Sequence, residues 1–129
     1  MAKNKQSKKK YNGYVYMLKI WINADIIYKI GTTNRDPYNR LVEIAGELYS
    51  ALGYIPKMTI VRQQRVLDNY AVEAEILQKT IKYRYNLSCT KEVCGESELR
   101  KMNEQEIYDL YDKCVLKSYP AKECYKVEI

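Results

Sequence analysis

A chain of 129 residues is long enough to bury one hydrophobic core and too short for two comfortable ones. Of its net charge of +6, Lys3, Lys5, Lys8, Lys9 and Lys10 account for five, and residues 11–129 carry 17 basic against 16 acidic side chains. That balance excludes a uniformly basic coat, so any attraction to an anionic partner is local. Residues 1–10 contain no apolar h-region, and no stretch reaches the ~20 apolar residues of a membrane helix, so an intracellular, cytoplasmic protein without membrane contact is expected.

Lys3 to Lys10 offer no apolar side chain to offset the entropy of ordering, and residues 1–10 therefore read as a disordered basic arm. Gly13 to Ile22 alternates as a strand, with Tyr14, Tyr16, Leu18, Ile20 and Ile22 on one side. Asn23, Ala24 and Asp25 supply turn chemistry, and Ile26 to Gly31 reads as the returning strand of an antiparallel hairpin. Asp36-Pro37 opens a helix, because aspartate caps free backbone N–H groups and proline is pre-set for the first helical position. Tyr38, Leu41, Val42, Ala45, Leu48, Tyr49 and Leu52 follow at helical spacing, and Gly53 stops it.

Ile55 to Val66 suggests a third strand, and Asp68 or Asn69 caps a second helix running to about Tyr85. Residues 86–97 read as a loop, and Asn103 with Glu106 forms the N-cap pair of a third helix ending near Cys114. The expected fold class is α+β, a small three-stranded antiparallel sheet flanked by helices. Cys89, Cys94, Cys114 and Cys124 lack the C-x2-C pairs of structural zinc and read as reduced, mostly structural thiols. The aromatic complement of 14 Tyr and one Trp without Phe puts hydroxyls on almost every ring, which suits cores and polar clefts alike. Within the chain, residues 28–85 carry nine basic against six acidic groups and residues 86–129 seven against nine, so the middle of the sequence is the basic part.

One carboxylate is out of place. On the second helix Val72, Ile76, Leu77 and Ile81 define an apolar arc, and Glu73 falls near its centre whereas Glu75 lies on the opposite side. A carboxylate on a packing face must be paired, neutralised or bound to a metal. Two readings stay open on periodicity alone: an ion pair to an arginine of the first helix or third strand, or a functional carboxylate. A single carboxylate completed by waters and phosphate oxygens is a donor set that Mg²⁺ accepts.

Taken in order, these segments resemble the GIY-YIG nuclease superfamily, in its phage and large-virus branch with a KIG second motif. Tyr14-Val15-Tyr16 stands in the place of GIY and Lys29-Ile30-Gly31 in the place of YIG. Thr32, Thr33 and Asn34 resemble the polar stretch that follows, Arg40 in YNRL the superfamily's arginine, and Glu73 in AVEAEIL its helix-borne metal ligand. Gly95-Glu96-Ser97-Glu98-Leu99 looks like a degraded form of the branch's later motif. Lys29 replaces the second tyrosine, with Tyr28 just before it, and the chain has no histidine.

The resemblance implies a viral or phage-type, metal-dependent DNA endonuclease that leaves 5′-phosphate and 3′-hydroxyl ends. Residues 11–100 would form the nuclease domain, with 101–129 as a C-terminal helix and tail. Tyr16, Lys29, Arg40 and Glu73 would be catalytic, Glu73 holding one Mg²⁺ or Mn²⁺. Tyr28, Thr32, Thr33, Asn34 and Arg35, with Lys8, Lys9 and Lys10 of the arm, would contact DNA. An unperturbed phenol near pKa 10 is a poor base at neutral pH, so Tyr16 needs a nearby cation, for which Lys29 and the metal are available. The alternative on the same fold is a catalytically inactive DNA-binding or partner-binding module, such as a viral anti-defence protein.

Overall fold

Aromatic and β-branched side chains in alternation carry the chain into an extended hairpin. In the computed structural model, which describes residues 13–87 and 98–118, β1 (Gly13–Ile22) and β2 (Asp25–Thr33) pair antiparallel, from Tyr14 opposite Thr33 to Ile22 opposite Asp25. Asn23 turns the hairpin at φ 56°, in the left-handed region that asparagine tolerates better than most residues. β3 (Lys57–Val66) pairs antiparallel with the other side of β1. Its register slips where Met17 faces Arg62 but Leu18 faces Ile60, which leaves Val61 as a bulge.

Among the described residues the sheet has four strands in the order β3-β1-β2-β4, not the expected three. β4 is only Leu99–Arg100, paired with Lys29 and Tyr28, and a two-residue strand has no alternation to read. β1 is also buried on both faces. Tyr16, Leu18, Ile20 and Ile22 pack with Ile27, Ile44 and Leu48 beneath α1 (Pro37–Leu52), while Val15, Met17, Tyr28 and Ile30 pack against α2 (Asn69–Lys79) and α3 (Glu104–Lys117).

Each helix starts where its cap dictates. The Asp36 side chain accepts from the Tyr38 N–H at 3.0 Å, Asp68 from Ala71 at 3.1 Å and Asn103 from Glu106 at 2.9 Å. Gly53, at φ 84°, closes α1 by donating its N–H to the Tyr49 carbonyl, a left-handed cap that glycine adopts without Cβ strain. α2 stops at Lys79 and not near Tyr85. The Thr80 hydroxyl donates to the Ile76 carbonyl at 2.8 Å, and the buried Arg100 donates to the Leu77 carbonyl at 3.1 Å and to Thr80 Oγ1 at 2.9 Å, so the acceptors for a further turn are taken. α3 runs past Cys114 to Lys117 and joins the same core, burying Ile107, Tyr111, Cys114 and Val115. The Tyr111 hydroxyl donates to the Val15 carbonyl at 2.7 Å, so this helix is part of the fold that a boundary at residue 100 would have cut away.

Candidate functional site

Tyr16 lies on the α1 face of the central strand, opposite Gly31 of β2. A Cβ added at Gly31 would sit 2.3 Å from the Tyr16 hydroxyl oxygen and 2.4 Å from Cζ, so glycine is the residue that leaves room for this ring. Tyr16 is 1% exposed. Burial raises its pKa above the ordinary phenol value; Lys29 and Arg40 pull it down and Glu98 pushes it up, and the two cations do not overcome the burial. Neutral pH therefore finds Tyr16 protonated.

Lys29 follows two residues before Gly31 on the same strand and face. Its ammonium stands 5.8 Å from the centre of the Tyr16 ring and is ion-paired with the Glu98 carboxylate. The side chain is 3% exposed, Glu98 25%. Lys29 is thus an internal cation of the site and not a strand-edge lysine reaching for solvent.

Glu73, from the first half of α2, reaches this same group. The helix buries Val72 and Ile76, which places Glu73 at the margin of the packing face, half-buried. The charged groups that act on it are the Glu98 carboxyl and Lys29. Burial first, and then the adjacent Glu98 charge, push its pKa up to about 7, against the opposing pull of Lys29. Glu75, two positions on, turns outward to Lys117 and Lys79. Two carboxyls in contact within a half-buried site favour a shared proton or a shared cation. Among the described residues no group of three His, Cys, Asp or Glu converges, so the Glu73 carboxylate offers oxygen donors on one side only, a set that a hard divalent cation completes with water and phosphate.

Arg40 comes from the first turn of α1, whose N-terminus is fixed by the Asp36 cap. Its side chain, 19% exposed, donates to Glu43 at 3.1 Å and Glu47 at 3.3 Å, and its charge acts on the Tyr16 phenol. Burial works against its charge, but Tyr16, Glu47 and Glu43 outweigh it and keep the guanidinium protonated. The other Glu47 carboxylate oxygen is buried without a hydrogen-bond partner among the described residues. A helix N-terminus with a half-buried arginine is an anion site in waiting.

The remaining expected contacts divide. Thr32, Thr33, Asn34 and Arg35 form the corner between β2 and α1, close in sequence to Arg40. Thr33 Oγ1 accepts the Arg35 N–H at 3.1 Å, and Arg35 pairs with Glu43 at 2.7 Å. Tyr28 does not belong with them. It is buried on the opposite face, edge-to-face with Tyr108 at 6.1 Å and close to the Glu104 charge, because alternation on β2 turns it away from Lys29 and Gly31. Lys8, Lys9 and Lys10 lie outside the described residues.

Two residues of the site region are not among the expected site residues. Glu98 belongs to the Gly95 to Leu99 stretch that resembles a degraded later motif, but it carries no periodic signal of its own. Asn69 is fully buried and donates to the Tyr14 carbonyl at 3.3 Å; a Cβ at Gly13 would approach its amide nitrogen to 2.7 Å and Asn34 Oδ1 to 2.4 Å. A buried asparagine at a helix start looks, in sequence, like one more cap.

The chain belongs to the T5orf172 domain family, which it matches over residues 13–115. The family is one of nuclease-like proteins related to phage endonucleases, and the match takes in α3 as well as the sheet. Neither the curated proteins nor the solved structures gave a match. Among the described residues no helix is long and apolar enough to cross a membrane.

Proposed function

We propose that this chain is a metal-dependent DNA endonuclease of the GIY-YIG type, hydrolysing phosphodiesters to 5′-phosphate and 3′-hydroxyl ends. The observation that carries this reading is the convergence of Tyr16, Lys29, Arg40 and Glu73 from β1, β2, α1 and α2 around one ion-paired group. In this reading Arg40 exchanges its glutamate partners for the scissile phosphate, a stronger bidentate acceptor. Glu73 holds one Mg²⁺ or Mn²⁺, which when bound stabilises charge on the phosphate and the leaving oxygen. Tyr16, in its phenolate form, takes the proton of the attacking water. Lys29 and Arg40 raise the phenolate population, and burial lowers it. Thr32 to Arg35 line the approach of the DNA backbone.

A non-cutting DNA-binding module on the same fold is the second reading, favoured by the burial that keeps the Tyr16 phenol neutral. Calorimetric titration with Mn²⁺ separates the two. Binding that disappears in Glu73→Ala supports the nuclease; no binding in the wild type favours the second reading.

A further inference from the structure

Lys29 is a long, flexible cation in a buried place, and its position has to be enforced. A lysine loses much of its rotamer freedom when fixed, and a buried ammonium without a partner is strongly disfavoured. The partner supplied is Glu98. It stands one residue before β4, whose Leu99 pairs with Lys29 on the sheet. β4 is too short to hold itself, and Arg100 does so, running its buried guanidinium to Thr80 and Leu77 at the end of α2. The same latch thereby ties Glu98 to β2, which carries Lys29, and to α2, which carries Glu73.

Resting on the nuclease reading, we propose that Glu98 is a positioning residue of the site: its carboxylate holds the Lys29 ammonium beside the Tyr16 ring, and it acts on the reaction through Lys29 without touching the DNA. This accounts for a two-residue strand anchored by a buried arginine, whose visible result is to bring one carboxylate to one lysine. It also explains why Glu98 and Glu73 meet, since both face the same ammonium from opposite elements.

The test is a double-mutant cycle on full-length protein combined with observation of the ammonium itself. Glu98→Gln should lower kcat on DNA about tenfold or more while KM changes by less than about twofold, and Glu98→Asp should recover part of the loss. In a Lys29→Met background, where no ammonium remains to be stranded, Glu98→Gln should cost less than about threefold, because the group it positions is gone. Equal losses in both backgrounds, or a loss lying in KM, would overturn the proposal. In ¹⁵N-lysine-labelled protein the Lys29 Nζ resonance should be protected from exchange in the wild type and lost in Glu98→Gln. Its persistence in that variant removes the clamp whether or not the protein cuts. A wild type that shows the protected resonance but no cleavage with Mg²⁺ or Mn²⁺ refutes the nuclease reading and leaves the clamp standing.

Discussion

In the proposed nuclease the Tyr16 phenol on the central strand is the base, and its environment works against that role. Burial lifts the Tyr16 pKa above its ordinary value, so the phenolate fraction at saturating metal should grow about tenfold per pH unit through the neutral range. Replacing Lys29 by Met removes a cation that lowers this pKa, so the rising limb should move to higher pH and cleavage at pH 7 fall by about one to two orders of magnitude. Superimposable pH–rate profiles of wild type and Lys29→Met would remove Lys29 from the chemistry. Glu73 titrates with the opposite consequence, on stability. A carboxyl whose folded pKa lies above its unfolded value holds its proton longer when folded, so stability falls as pH rises from the ordinary ~4.3 to about 7. Glu73→Gln should therefore flatten the decline of Tm between pH 4.5 and 7.5, and parallel curves for the two proteins would show that the carboxyl is not perturbed. Glu73 was legible because a charge on an apolar arc is an anomaly that periodicity exposes. The burial of Lys29 was not, since a lysine on a strand gives no sign of which face is covered until the partner strand and Glu98 are placed.

At the level of elements, the caps carried the most readable information. Asp36-Pro37 and Gly53 bound α1 as their chemistry requires, and Arg40 is useful only while that first turn is fixed. Asp36→Ala should cost about 1 kcal/mol of stability and weaken DNA binding through Arg40; an unchanged unfolding midpoint would show that Pro37 alone secures the helix start. The second helix was overextended because Ile81 continued the apolar spacing. What ended the helix was a tertiary contact, Arg100 on the carbonyls of its last turn, and no local signal marks it. The fourth strand went unread for the same reason, since Leu99–Arg100 exists through its pairing with Lys29 and Tyr28. Tyr28 was misassigned because adjacency in sequence to Lys29 means opposite faces on a strand.

Among the described residues one α-helix covers one face of the sheet, two cover the other, and the candidate site lies where β1, β2, α1 and α2 meet near the β4 end. The α+β class was legible from hydrophobic periodicity. Membership of α3 in the core was not, because its buried stripe meets partners distant in sequence, as in the contact of Tyr111 with Val15. The charge distribution adds a prediction at this scale. Removing residues 1–10 deletes five lysines and should flatten the salt dependence of DNA binding, since each lost phosphate contact lowers the slope by about one, while cleavage at saturating DNA stays nearly constant. A salt slope unaffected by the truncation would mean that the lysines never meet the phosphates. The most direct trial of the nuclease reading is incubation of supercoiled plasmid with purified protein and Mg²⁺ or Mn²⁺, beside a Glu73→Ala variant of equal or higher Tm. The account predicts nicked and linear products from the wild type, abolished by chelation and by the substitution; intact plasmid with the wild type, or unchanged cutting by Glu73→Ala, would contradict it.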